Sequence, residues 1–253
     1  MNKRKVVFRR RLAVSAAALA VLALLFILLR TVWGLMTGAG GSPAAAHYTG
    51  EPVSISEYDN SADDRPAVEW NLMLVNEKYP LAEGYVPVLA TVDGRWEVDE
   101  RIVDSVAEML ADCRKEGLEP LICSAYRSVD KQEELFVSRI ARSEGDGLDG
   151  DAAVASAATV VAVPGASEHH TGLALDIVSN GYQLLDEGQE GTPENQWLRE
   201  HCADYGFILR YPVGSTDETG IIYEPWHFRY VGKKAAKEIM ERGITFEAYS
   251  GAV

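Results

Sequence analysis

The longest apolar run in the chain is LAVSAAALAVLALLFILL, Leu12 to Leu29, and it contains no charge. As a helix its 18 residues would extend roughly 27 Å, close to the hydrocarbon thickness of a bilayer. The segment stays mostly apolar to Met36, and Trp33 suits the interfacial belt. Six cations precede Leu12, which keeps the N-terminus on the cytoplasmic side. A cleaved signal peptide would have a shorter apolar region ending at a small-residue site. Here the run is longer, and the candidate site Ala44-Ala45-Ala46 lies well downstream. The pattern therefore predicts a cytoplasmic basic tail at 1–11, a transmembrane signal anchor at 12–36 and a flexible linker at 37–66, rich in Gly, Ser, Ala and Asp. Residues 67–253 would then form a folded domain outside the membrane.

Within that domain, Leu72 to Val75 reads as a short apolar strand before the turn at Pro80, and Tyr85 to Ala90 as irregular or extended chain. From Glu100 to Glu116 the apolar positions Ile102, Val103, Val106, Met109, Leu110 and Cys113 follow the 3.6-residue period, and Gly117 ends the helix. Pro120 to Ala125 reads as a buried strand, and Ser128 as the N-cap of a helix reaching about Ser143. After the loop EGDGLDG, Ala152 to Val161 suits a short helix. Leu173 to Val178 has strand character. Thr192-Pro193 has the N-cap and N1 chemistry of another helix, which Gly206 closes. Phe207 to Tyr211 and Trp226 to Val231 are further strands, and Lys233 to Arg242 is a last helix before Gly243. Helices and strands mix without a βαβ rhythm, which predicts an α+β fold with a small antiparallel sheet and flanking helices.

Charge narrows the function. The first 30 residues hold seven basic side chains and no acid, which leaves 17 basic residues against 38 acidic ones in the rest. An acidic body of this kind excludes a nucleic-acid binder built on clustered Lys and Arg. The three cysteines, Cys113, Cys123 and Cys202, are scattered and odd in number, so they read as structural thiols with room for one bridge at most.

The chemistry concentrates in SEHHTGLALDIV, Ser167 to Val178, which holds two of the five histidines. In LALDIV, alternation puts Ala174, Asp176 and Val178 on one face and Leu173, Leu175 and Ile177 on the other. A carboxylate buried in such a run needs a cation or a metal. His169 and Asp176 are seven apart, which is not the spacing of a helical ligand pair, so a turn at Gly172 and a strand would have to bring them together. EPWHFRY, Glu224 to Tyr230, supplies His227 and a second carboxylate. Two imidazoles and one carboxylate make a three-ligand catalytic zinc site with one position left for water. His169, Asp176 and His227 would be ligands, and Glu224 a general base. On residue types alone His170 could replace His169.

These residues resemble the VanY-type D-alanyl-D-alanine carboxypeptidases, zinc peptidases related to D-Ala-D-Ala dipeptidases and to the L,D-carboxypeptidases of peptidoglycan. The family pattern S-x-H-x-x-G-x-A-x-D is matched by Ser167, His169, Gly172, Ala174 and Asp176, and E-x-W-H by Glu224, Trp226 and His227. The upstream Y-R-S with a later Gln is Tyr126, Arg127, Ser128 and Gln132. The resemblance extends over about Trp70 to Gly243. It implies that His169, not His170, is the ligand; position 170 is commonly Gln in the family, so His170 is a departure. It implies one Zn²⁺ per chain, at the sheet, held by His169, Asp176 and His227. Glu224 would activate water and pass the proton to the leaving amine, and Arg127 would polarise the scissile carbonyl. Gln132, Ser167, Tyr126 and Trp226 would form the substrate-binding set, Trp226 as a wall.

The resemblance implies a peptidoglycan stem peptide as partner; with the apolar segment and linker read above, it predicts a monomeric, single-pass membrane enzyme with its catalytic domain on the cell-wall side, as in a Gram-positive bacterium. The expected activity is removal of the last D-Ala from stems ending in D-Ala-D-Ala. An L,D-carboxypeptidase would use the same catalytic residues on tetrapeptide stems. A non-catalytic binding module would be expected to lack a ligand or the base, and all four residues are present.

Overall fold

The computed structural model describes residues 69–253. The tail, anchor and linker expected at 1–66 lie outside the described residues, and among the described ones no helix is long and apolar enough to cross a membrane. The fold is α+β, as the pattern of mixed elements predicts.

Four strands form one antiparallel sheet: β3 (Pro120–Ser124), β4 (Ala174–Ser179), β5 (Phe207–Leu209) and β6 (His227–Tyr230), in the order β3-β4-β6-β5. Strand β4 is central and all six of its residues are buried, which explains why it reads as a continuous apolar run interrupted by Asp176. Leu173, Leu175 and Ile177 enter the main core, as the alternation predicts, together with Phe207 and Phe228. Against that face pack helix α1 (Val103–Lys115), through Val106, Met109 and Leu110, and helix α4 (Pro193–His201), through Leu198.

Helix α2 (Val129–Gly145) starts at the predicted cap: the Ser128 hydroxyl accepts from the Lys131 amide at 3.2 Å. Helix α3 (Gly150–Ala158) packs on α2 through Ala153, Ala157 and Ile140. In α4, Thr192 caps as expected, accepting from Asn195 N at 3.2 Å, and Pro193 occupies the first turn. After a single helical turn α5 (Thr216–Thr219), the chain ends in α6 (Lys233–Arg242) and α7 (Phe246–Tyr249). Ala235, Ala236, Ile239 and Phe246 close a second core over Leu74, Ile208 and Val231.

One reading needs correction. Leu72 to Val75 is not a strand but a 3₁₀ turn at Trp70–Leu72 followed by extended chain. The carbonyls of Asn71 and Met73, which a strand would spend on a ladder, accept instead from the Arg229 guanidinium at 3.3 and 2.8 Å. The stretch Tyr85 to Ala90, expected as irregular or extended chain, leads into an antiparallel hairpin of β1 (Leu89–Val92) with β2 (Trp96–Asp99). Its three-residue turn, Asp93-Gly94-Arg95, places Asp93 and Gly94 at positive φ (48° and 81°), conformations that Asp and Gly tolerate.

Candidate metal centre

Strand register brings the chemistry together. Asp176 on β4 lies opposite His227 on β6, and on its other side opposite Ser124 on β3. Residues 51 apart in sequence thus become direct neighbours across a ladder. His169 arrives differently. It sits on a 3₁₀ turn (Glu168–Thr171) that ends at Gly172 in the left-handed conformation (φ 71°). A side chain at 172 would stand 2.6 Å from the backbone nitrogen of Asp99, whose N–H donates to the Gly172 carbonyl at 3.0 Å. Only glycine lets the turn pack that closely on the hairpin and then enter β4.

The three predicted ligands are buried and offer donor atoms within 4.8 Å of one another. Nδ1–H of His169 donates to the Ala125 carbonyl at 2.7 Å, which leaves Nε2 as the lone-pair nitrogen, 3.3 Å from Asp176 Oδ2. His227 presents Nδ1 to Asp176 Oδ1 at 3.0 Å, and its Nε2 faces Glu168 Oε2 at 3.4 Å. Each imidazole therefore has one nitrogen held by an oxygen of the protein and the other turned toward the cluster, the arrangement in which outer partners fix ring orientation and tautomer at metal sites.

His170 is excluded as a ligand. Its Nδ1 donates to the Arg127 carbonyl at 2.7 Å, and its Nε2 accepts from Gly165 N–H at 3.2 Å. Both nitrogens are spent on backbone, bracing the loop that carries Arg127. The Arg127 N–H itself donates to the His169 carbonyl at 3.1 Å.

The remaining predicted residues fall mostly around one cleft of about 900 Å³, lined by Arg127, Gln132, Ser167, Glu224 and Trp226 beside the three ligands. Arg127 reaches to 3.7 Å from Asp176 Oδ2 and donates to Gln132 Oε1 at 2.8 Å and Ser124 Oγ at 2.6 Å. Gln132 also donates to the Ala162 carbonyl at 2.6 Å, so its amide holds the arginine rather than standing free for a ligand. Glu224 is nearly buried, 3.8 Å from His227 Nδ1. Tyr126 is half-buried and is not part of the cleft lining, which departs from the substrate-binding role expected of it.

Burial and charge shape the titration of these groups. Burial pushes Glu224 up to about 8, with Asp176 and Glu168 adding to the rise against His227 and Arg127. Burial, helped by Arg127, lowers His169 to about 4. Burial also opposes charge on His227, but its contacts with Asp176 and Glu168 prevail and raise it to about 9. Burial opposes ionisation of Asp176 too, yet its histidine neighbours hold it well below the usual carboxylate range.

Glu168 is the residue that sequence reasoning missed. Its fully buried carboxylate accepts from Arg210 Nε at 2.7 Å and Arg229 Nη1 at 2.9 Å while facing His227. Burial works against its charge, but the two guanidiniums hold its pKa far below normal. Arg210 in turn makes a bidentate pair with Glu247 on α7, at 2.8 and 2.6 Å. The available signal was the pair of arginines inside the apolar strands FILRY and HFRY, since buried guanidiniums require buried acids.

The comparisons agree with this geometry. The VanY family model, D-alanyl-D-alanine carboxypeptidase, matches residues 95–233. A D-alanyl-D-alanine carboxypeptidase of Enterococcus faecalis is 34% identical over 213 residues, covering 82% of this chain and 78% of that protein. A solved structure of a mutant of the vancomycin-resistance D,D-pentapeptidase VanY, in complex with Zn(II), aligns with a TM-score of 0.66 and 37% identity, over 72% of this chain and 99% of that one. The LdcB LD-carboxypeptidase aligns at 0.63 and 36%, over 73% and 87%. The donor set of two imidazoles and a carboxylate, each oriented by a protein partner, fits Zn²⁺ as cofactor.

Proposed function

This chain belongs to the VanY family of D-alanyl-D-alanine carboxypeptidases, and from that premise we propose that it is a zinc D,D-carboxypeptidase that removes the terminal D-Ala of peptidoglycan stem peptides. The observation that carries the proposal is a carboxylate outside the ligand set, Glu224, beside the ligand cluster in the same cleft as Arg127.

His169, Asp176 and His227 would hold zinc, which when bound would supply Lewis acidity and lower the pKa of water at the site. Glu224 then takes the proton from the attacking water and delivers it to the leaving amine, the role of a general base followed by a general acid. Its raised pKa suits that exchange, because a base near neutrality both accepts and returns a proton. Arg127 directs N–H groups and a fixed positive charge at the scissile carbonyl oxygen as it becomes anionic. Gln132 and Ser124 hold that guanidinium so that little reorganisation accompanies the reaction. Ser167 and Trp226 form the wall for the substrate's C-terminal end. The apolar segment 12–36 and the linker 37–66 would keep a monomeric domain at the outer face of the cell membrane, next to the wall.

The likeness to LdcB supports a second reading, cleavage of tetrapeptide stems by the same residues. The zinc-loaded chain should be incubated with pentapeptide and tetrapeptide stems and the products weighed by mass spectrometry, with Glu224→Gln as control. Loss of one D-Ala from pentapeptide alone is the expected result. Release from tetrapeptide alone would replace D,D with L,D specificity, and cleavage of neither would defeat both readings. Glu224→Gln should retain zinc and lose about 10²- to 10⁴-fold in kcat.

A further inference from the structure

The cleft is larger than a terminal dipeptide needs, and one wall of it is unexplained by the catalytic residues. That wall is a face of α2: Gln132, Leu135, Ser138, Arg139 and Arg142 all border the cleft. Gln132 is tied to Arg127 and so marks the catalytic end. Farther along the helix, Arg139 and Arg142 form no ion pair within the described residues, although the chain carries 38 acidic side chains against 24 basic ones. Arg142 lies in the last turn of α2, where a cation complements the helix dipole. Arg139 lies a turn earlier, beyond that explanation. It is half-buried, and its Nε is a buried donor with no hydrogen-bond partner. A desolvated, unsatisfied guanidinium N–H is costly unless something completes it. The cleft lining also includes Asp186 and Glu187, neither of which forms an ion pair with either arginine among the described residues. Asp186 is instead held by the Tyr182 hydroxyl at 2.8 Å.

We propose that Arg139, assisted by Arg142, is a subsite for a carboxylate on the substrate, placed about three residues N-terminal to the scissile bond. The register follows from helix geometry. At 1.5 Å per residue, Arg139 and Arg142 stand ~10 and ~15 Å along α2 from Gln132. An extended peptide covers about 10 Å in three residues. In a stem ending in D-Ala-D-Ala, the unit at that distance is a γ-linked D-glutamyl residue. Its α-carboxyl is free, or is neutral where the wall amidates it. A guanidinium binds such a carboxylate through charge-assisted, often bidentate hydrogen bonds. The subsite rests on the carboxypeptidase reading, since it names what that same cleft recognises upstream of the bond it cuts.

The test compares γ-D-glutamyl-L-lysyl-D-alanyl-D-alanine carrying its glutamyl α-carboxyl free with the same peptide as the α-carboxamide, on the zinc-loaded full chain. The free acid should be preferred about tenfold or more in kcat/KM, with the difference in KM because the contact is remote from the reacting atoms. In Arg139→Gln and in the Arg139→Gln/Arg142→Gln double variant that ratio should collapse toward one. Equal turnover of acid and amide by the wild-type chain would overturn the proposal, as would a ratio that the substitutions leave intact. Binding is read separately by calorimetry with γ-D-glutamyl-L-lysine, which contains no scissile D-Ala. If neither tetrapeptide is cut yet this dipeptide binds the wild type and not Arg139→Gln, the carboxypeptidase reading fails and the subsite survives. If it binds both alike, or neither, the subsite is refuted whatever the activity.

Discussion

Glu168→Gln isolates what the buried charge layer beneath the metal centre does. The substitution keeps the side chain's size and an accepting oxygen but deletes a charge at a position with no solvent exposure. Arg210 retains its bidentate partner Glu247. Arg229 does not, because its other contacts are the carbonyls of Tyr230, Asn71 and Met73. The cost is therefore one uncompensated buried guanidinium, about 3–5 kcal/mol. A domain of ordinary stability, about 5–15 kcal/mol, would survive that loss in part. Zinc affinity should fall as well, about 10- to 100-fold, because His227 Nε2 loses its anionic partner. Urea titration of the zinc-free protein reads the first effect, and competition with a chromophoric chelator the second. Adding Arg229→Met restores charge balance around Arg210 and Glu247 and should recover stability without recovering zinc affinity. If Glu168→Gln stays within about 0.5 kcal/mol of wild type, as surface substitutions do, the layer is not what holds the sheet edge. If stability falls while zinc affinity does not, Glu168 supports the fold but does not orient His227.

Gly172→Ala forces a Cβ to 2.6 Å from Asp99 N at a φ of 71°; the left-handed conformation alone costs about 1–2 kcal/mol, and a melting temperature equal to wild type would contradict the close packing described. Burial pushes the thiols of Cys113, Cys123 and Cys202 up to about 12, so a neutral-pH thiol reagent should label all three slowly in the native protein, Cys113 and Cys202 only after unfolding, and rapid native labelling of either buried thiol would refute its burial. The zinc-free protein should lose stability as pH rises from about 6.5 to 9. Up to about pH 8 folded Glu224, and up to about pH 9 folded His227, still hold protons that the unfolded chain has released. His169, depressed to about 4, is already neutral in the fold there, and its own contribution changes only below the window. Urea midpoints that stay flat or increase between pH 6.5 and 9 would show that these two groups are not protonated in the fold.

The candidate ligands were legible because each lies in a short segment whose local pattern survives folding. Asp176 broke an apolar alternation, Gly172 marked the turn before it, and His227 sat among aromatic residues of a strand. Caps at Ser128 and Thr192 were equally local and fall where the hydroxyls predict. The choice between His169 and His170 was not legible from residue types, because it depends on which carbonyls the two rings meet, Ala125 and Arg127, more than 40 residues upstream. The hairpin at Asp93-Gly94 was within reach, since its turn dipeptide is a local signal that the strand reading passed over. Leu72 to Val75 failed for a tertiary reason: Arg229 takes the carbonyls that a strand would have paired.

Glu168 shows why a site's support is harder to read than its ligands. Nothing local distinguishes it from other surface-like acids preceding a histidine. Its meaning comes from Arg210 and Arg229, which enter from the end of β5 and from β6, and from Glu247 on the terminal helix, which Asn76 also contacts at 3.0 Å. Four segments thus converge on a charge layer whose Glu168 faces one histidine nitrogen. Two cations and two anions balance there, so the layer is electrically closed before any metal arrives. That balance lets Arg210, Arg229 and Glu168 be fully buried at once, a state none of them could occupy alone. It also separates two demands on the domain. Rigid orientation of His227 is met by the charge layer at its Nε2, while Arg127, Glu224 and the arginines of α2 line the cleft. Substitutions in the layer should therefore register first in zinc affinity and stability, and substitutions along the cleft in KM and peptide preference.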